Sequence, residues 1–182
     1  MKLGIYMGSF NPPHLGHKKI IDYLLENKIV DNILIVPTNS YWDKNNLIDI
    51  SDRINMLKFY TSEHVFLDTE DYELVYTIDL LNKLKSKYSS YELLPIIGAD
   101  NIISFHKWKN YKELLKYRII IMNRDNLDIK PYLERLDSEN IIVLTDFPNI
   151  KISSSELREK MNSEYLHPKV LKYIQKNHLY EK

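Results

Sequence analysis

The sequence predicts an α/β fold, a doubly wound parallel sheet with a small helical segment at its C-terminal end. Three observations carry that expectation. Short apolar, β-rich runs alternate with longer segments of helical period along the 182-residue chain. Those runs read as strands buried on both faces, the pattern of a sheet covered by helices on either side. Gly8, Pro37 and Gly98 each fall just after a run. In sheets of this kind ligands bind beyond the carboxyl ends of the strands, so the loops these residues open converge on one edge.

Taken in order, Lys2–Met7 is the first strand, and residues 8–17 lead from it into a helix over Lys18–Glu26. A second strand, Asn32–Val36, is followed by a helix over Ser51–Tyr60 and a short strand, Val65–Leu67. In the next helix, Thr77–Tyr88, positions Ile78, Leu81, Leu84 and Lys85 share one face. Strands Leu93–Ile97, Arg118–Met122 and Ile141–Leu144 follow, with a short helix at Lys112–Leu115. Two helices close the chain, Ser154–Met161 and Pro168–Lys176. Proline suits a first helical turn, where its missing N–H has no partner to lose. No internal repeat or low-complexity linker marks a boundary, so a single domain over residues 1–182 is expected.

Composition narrows the classes. Lysine plus arginine equal aspartate plus glutamate at 25 each, which removes any bulk electrostatic argument for nucleic acid or an acidic membrane surface. The chain has no cysteine, and so no disulfide, thiolate metal site or cysteine nucleophile. No apolar run approaches the ~20 residues that span a bilayer. The apolar stretch ending at Gly8 is too short for a signal peptide. A soluble protein of the cytoplasm is the expectation.

The stretch YMGSFNPPHLGH, residues 6–17, is unusual in a chain with four glycines, because Gly8 and Gly16 both fall within it. It leaves the first strand and enters the first helix, where a phosphate meets exposed N–H groups and a partial positive charge. Neither G-x-G-x-x-G nor G-x-x-x-x-G-K-[ST] is present. Instead Gly8 permits a tight exit, Pro12-Pro13 stiffens the loop, and Gly16 would let a ligand approach the backbone between His14 and His17. At i, i+3 on a helix, the two histidines would lie on one side. Three readings compete: a metal site, which finds no further ligand at suitable spacing; two unrelated surface histidines; and phosphate contact by two imidazole donors. The glycine and proline framing favours the third.

GSFNPPHLGH resembles the G-[GS]-[TS]-F-[DN]-P-x-H-x-G-H signature of the H-x-G-H nucleotidyltransferase superfamily, with Asn11 where an aspartate is usual. KISSSELREKM resembles the I-S-S-[ST]-x-[IL]-R motif of the same enzymes. Independently of that likeness, Ser153 or Ser154 can cap a helix, Glu156 can close a capping box, and Arg158 lies one turn in. YTIDLLNKLK and IIGADNIISFHKW are similar to segments of nicotinate mononucleotide adenylyltransferases. The resemblance runs from residue 3 to about 176 and implies a Rossmann-like nucleotidyltransferase fold. The implied reaction is ATP plus nicotinate mononucleotide giving deamido-NAD and pyrophosphate, a step of NAD biosynthesis.

The resemblance also implies roles. His14 and His17 would meet the ATP phosphates, and Gly8, Ser9, Phe10 and Gly98 would line the nucleotide cleft. Asp100 would hold the adenosine ribose, and Ser154, Ser155 and Arg158 would meet the triphosphate. Trp108 would stack on the pyridine ring with Thr77 near its carboxylate, and Lys44 would take the mononucleotide phosphate. One departure is VPTNSYWDK, where many members have V-P-x-x-x-P-P-H-[KR]; Tyr41, Trp42 and Asp43 replace Pro-Pro-His while the spacing keeps Lys44. His14, His17 and Arg158 would carry catalysis, with Mg²⁺ arriving on ATP rather than in a protein cage. Alternatives are an adenylyltransferase for nicotinamide mononucleotide or phosphopantetheine, or a nucleotide-binding module without catalysis.

Overall fold

A computed structural model describes residues 1–39, 47–72, 75–123, 126–136, 138–147 and 152–181. Six parallel strands form one sheet: β1 (Lys2–Gly8), β2 (Asn32–Pro37), β3 (Val65–Leu67), β4 (Glu92–Gly98), β5 (Ile119–Met122) and β6 (Ile141–Leu144). Their order across the sheet is β3-β2-β1-β4-β5-β6. The helices are α1 (Leu15–Glu26), α2 (Ile50–Leu57), α3 (Thr77–Lys87), α4 (Ala99–Ile102), α5 (Tyr111–Leu114), α6 (Lys130–Leu136), α7 (Ser154–Glu159) and α8 (Pro168–Lys176).

The double winding follows from the strand sequences. In β2, Ile33 and Ile35 enter one core while Leu34 and Val36 enter the other. β1 and β5 divide their side chains the same way. Because a strand turns successive side chains to opposite faces, an uninterrupted apolar run needs a cover on both. Residues of α1, α2, α7 and α8 supply one cover, and residues of α3 to α6 the other.

Several expected boundaries move, each for a local reason. α1 begins at Leu15 rather than Lys18 because His14 caps it. The helix expected over Ser51–Tyr60 starts at Ile50 and tightens into a 3-10 turn at Lys58–Tyr60. The helix expected to reach Met161 ends at Glu159. Periodicity does not announce α6, which buries only Leu136. β6 departs from burial on both faces: it lies at the sheet edge, and Val143 is 36% exposed. Among the described residues no helix is long and apolar enough to cross a membrane.

Candidate active site

Strand order reverses between β1 and β4, so the loops leaving their carboxyl ends flank a crevice. The β1 loop carries residues 8–14 and the β4 loop begins at Gly98. The expected binding stretches therefore face each other at the switch point.

The two histidines are built into the start of α1. His14 is its N-cap, and its Nδ1 accepts from the Gly16 N–H at 3.1 Å. His17 Nδ1 accepts in turn from the His14 N–H at 3.1 Å, completing a capping box made of imidazoles. With Nδ1 used as an acceptor, the proton of each neutral imidazole belongs on Nε2. The rings stack with centroids 3.8 Å apart, and Phe10 sets its ring edge-on to His17 at 4.9 Å. No acidic side chain stands in the first turn of α1 to offset its positive end.

The structure adds what the residues of this loop do for its packing. The left-handed backbone falls on Phe10, with φ 46°, and at no glycine. Gly8 is small because the Phe10 ring lies over it, 3.2 Å from where a Cβ would stand. At Gly16 the space is taken by the His14 ring, whose Nδ1 and Cε1 would lie 2.9 Å from a Cβ. Phe10 is 2% exposed, and its side chain buttresses His17. His14 is 3% exposed, held beneath the half-buried His17.

The serine motif docks onto the same loop from the far end of the chain. Ser153 is the N-cap of α7, with Glu156 closing the box. That leaves Ser154 to donate from Oγ to the Pro12 carbonyl at 2.9 Å. Arg158 donates from Nη1 to the Asn11 carbonyl at 2.8 Å and from Nη2 to Ser155 Oγ at 3.2 Å. The fold thus brings His14, His17, Ser154, Ser155 and Arg158 around residues 11–13.

The second group sits beside α3 and β4. Thr77 opens α3, whose N-cap Tyr76 makes no side-chain cap bond. Lys109, next to Trp108, donates to Asp79 Oδ2 at 2.8 Å and lies 4.8 Å from the Tyr76 ring centre. This ties the Trp108 loop to the first turn of α3. The half-buried Trp108 rests on Phe105 with ring centres 5.2 Å apart. Asp100 is exposed and folds back over Gly98, its Oδ1 in contact with the place of a Gly98 Cβ. Lys44 and the Tyr41-Trp42-Asp43 departure lie outside the described residues.

Two polar residues, one buried and one half-buried, escape the motif reading. Arg53 is fully buried and binds backbone carbonyls just beyond β1 and β2. Burial pushes its guanidinium below the ordinary value. The sequence signal was its place with Met56 and Leu57 at i, i+3, i+4 on the buried face of α2. Tyr180 donates to Asn11 Oδ1 at 2.8 Å, and burial pushes its phenol up. No local pattern marks it.

A crevice of this topology, with helix-end imidazoles and a guanidinium gathered around one loop, suits the handling of a nucleotide's phosphates. The chain belongs to the cytidylyltransferase-like family, whose model matches residues 5–160. Within it, a Flavobacterium psychrophilum protein named as a probable nicotinate-nucleotide adenylyltransferase is 34% identical over 199 residues, covering 100% of both chains. A Fusobacterium nucleatum protein of the same name is 35% identical over 193 residues, covering 98% of this chain and 100% of its own. The structure of Plasmodium falciparum nicotinic acid mononucleotide adenylyltransferase complexed with NaAD matches with a TM-score of 0.81 at 26% identity, covering 98% of this chain and 97% of that one. The fold class and the family read from the motifs are borne out.

Proposed function

We propose that the protein transfers AMP from ATP to nicotinate mononucleotide, releasing pyrophosphate and forming deamido-NAD in the cytoplasm. The observation that carries this reading is full-length similarity to nicotinate-nucleotide adenylyltransferases in a chain whose two nucleotide motifs meet at one loop. A phosphate oxygen of the mononucleotide attacks the α-phosphorus; that P–O bond forms as the bond to the β-phosphate's bridging oxygen breaks. The attacking phosphate has a second pKa of about 6 and is mostly ionised at neutral pH. No general base is needed, and catalysis reduces to alignment and charge stabilisation.

In this reading the Nε2–H donors of His14 and His17, with Arg158, receive the charge that develops on the triphosphate. Ser154 and Ser155 meet its outer oxygens, and Gly8, Ser9, the Phe10 backbone and Gly98 line the cleft. Asp100 holds the ribose, Trp108 stacks on the pyridine, and Lys44 takes the mononucleotide phosphate. Mg²⁺ enters on ATP; among the described residues no group of three or more His, Asp or Glu side chains is placed to hold a metal ion.

Selection of acid over amide cannot come from stacking, which holds either ring about equally. The N–H groups at the start of α3, beside Thr77, suit a carboxylate. A hydrogen bond to a charged group contributes about 1.5–3 kcal/mol, roughly ten- to 150-fold. Pyrophosphate release is measured with nicotinate mononucleotide, nicotinamide mononucleotide and phosphopantetheine at saturating ATP and Mg²⁺. Nicotinate mononucleotide should be preferred over the amide by at least about tenfold in kcat/KM. Preference for the amide or for phosphopantetheine assigns one of the other acceptors, and no turnover with any of them leaves a binding module.

A further inference from the structure

We propose that Arg53 is a positioning residue for the transfer, holding the loops after β1 and β2 at one spacing so that the two substrates meet in line. This rests on the adenylyl-transfer reading above and assigns a part to a side chain that the motifs leave unused.

Arg53 lies on α2 with 0% exposure. A guanidinium so placed is rare unless its charge or its hydrogen bonds are met. Among the described residues no carboxylate lies within ion-pairing distance. Its donors are met by neutral oxygens instead. Nε donates to the Ile48 carbonyl at 3.2 Å, and Nη1 to the carbonyls of Ser9 at 2.9 Å and Thr38 at 2.8 Å. Nη2 donates to Asn39 Oδ1 at 2.6 Å.

The place of these acceptors gives the arrangement its meaning. The β1–β2 register ends at Gly8 opposite Pro37, and the Thr38 N–H adds one last bond to the Gly8 carbonyl at 2.8 Å. The carbonyls of Ser9 and Thr38 come next, where the strands part. One guanidinium nitrogen bonds both, carrying the connection one step past the sheet. Ser9 leads into the histidine loop and Thr38 into the segment toward Lys44. Each loop is expected to hold one substrate's phosphate, and a relative shift of about 1 Å can cost 10²-fold in rate. Lysine would keep the charge but cannot reproduce the planar fork that reaches these acceptors together.

The test compares wild type, Arg53→Lys and Asn39→Ala for Tm, kcat and the KM of each substrate, at a temperature where each is folded. Asn39→Ala removes one acceptor and leaves Arg53 in place, so it keeps the proposal open to refutation if the lysine variant fails to fold. Positioning predicts that kcat per folded molecule falls about tenfold or more in Arg53→Lys and about threefold or more in Asn39→Ala, with each KM within about threefold of wild type. A residue that only satisfies buried carbonyls would lower Tm and leave kcat per folded molecule unchanged. Wild-type kcat in a folded Arg53→Lys, or in Asn39→Ala, overturns the proposal. The comparison uses whichever acceptor the wild type turns over, so a different acceptor corrects the proposed function and leaves the Arg53 result standing.

Discussion

Gly16 shows how one hydrogen atom in place of a methyl can decide a site. It occupies the second position of α1, where alanine would favour the helix by roughly 0.5–1 kcal/mol. A methyl group there would press on the His14 ring at 2.9 Å, and that ring is held by its cap bond and by the stack on His17. Gly16→Ala should therefore leave Tm nearly unchanged while kcat falls by about 10²-fold, the scale of a displaced transition-state donor. Steady-state kinetics beside a thermal melt would check it, and wild-type kcat would detach the stacked pair from the chemistry. The H-x-G-H spacing made both histidines legible in the sequence. That the glycine makes room for a ring was not, since only the folded loop lays His14 over it.

Caps govern the elements around the crevice, and one of them gives the protein a pH signature. Asp49 caps α2, accepting from the Ser51 N–H at 2.8 Å, and hydrogen bonds from Ser51 hold its carboxyl below the ordinary range. Glu70 is also held low, mainly by its hydrogen bond from Lys87. A carboxyl depressed in the folded state stabilises it at pH values above the unfolded pKa, about 3.9 for aspartate. That contribution is lost as pH falls through the lower folded value. Asparagine caps a helix as well as aspartate but does not titrate. The Tm advantage of wild type over Asp49→Asn should be full near pH 6 and shrink below about pH 4. Parallel Tm profiles from pH 6 to about 2.5 would show that the cap contributes no titrating stability. Cap chemistry of the serine motif was readable, because Ser153 and Glu156 stand three apart. The cap of α1 was hidden, because histidine is seldom an N-cap and the residue pattern puts the start of the helix at Lys18.

Over the whole molecule, the site depends on contacts between the two ends of the chain. Arg158 and Ser154 reach back to Asn11 and Pro12, and Tyr180 donates to the buried Asn11 side chain. Tyr180→Phe removes that donor and should cost about 1–2 kcal/mol, because the Ile48 N–H still approaches Asn11 Oδ1 at 3.5 Å. For a chain of this size that is a fall of roughly 2–8 °C in Tm, read by thermal denaturation. An unchanged Tm would mean that the C-terminal turn merely rests on the loop. The sequence by itself determined the six strands, their double winding and both nucleotide motifs, because strand period, helix spacing and motif spacing are local properties of a chain. Only the tertiary structure decided what the motifs touch. Arg53 bridges two loops, Ser154 and Arg158 reach the backbone carbonyls of Pro12 and Asn11, and Tyr180 completes Asn11. A carbonyl acceptor leaves no mark on residue identity, and contacts across so much chain follow from how the layers pack rather than from any spacing.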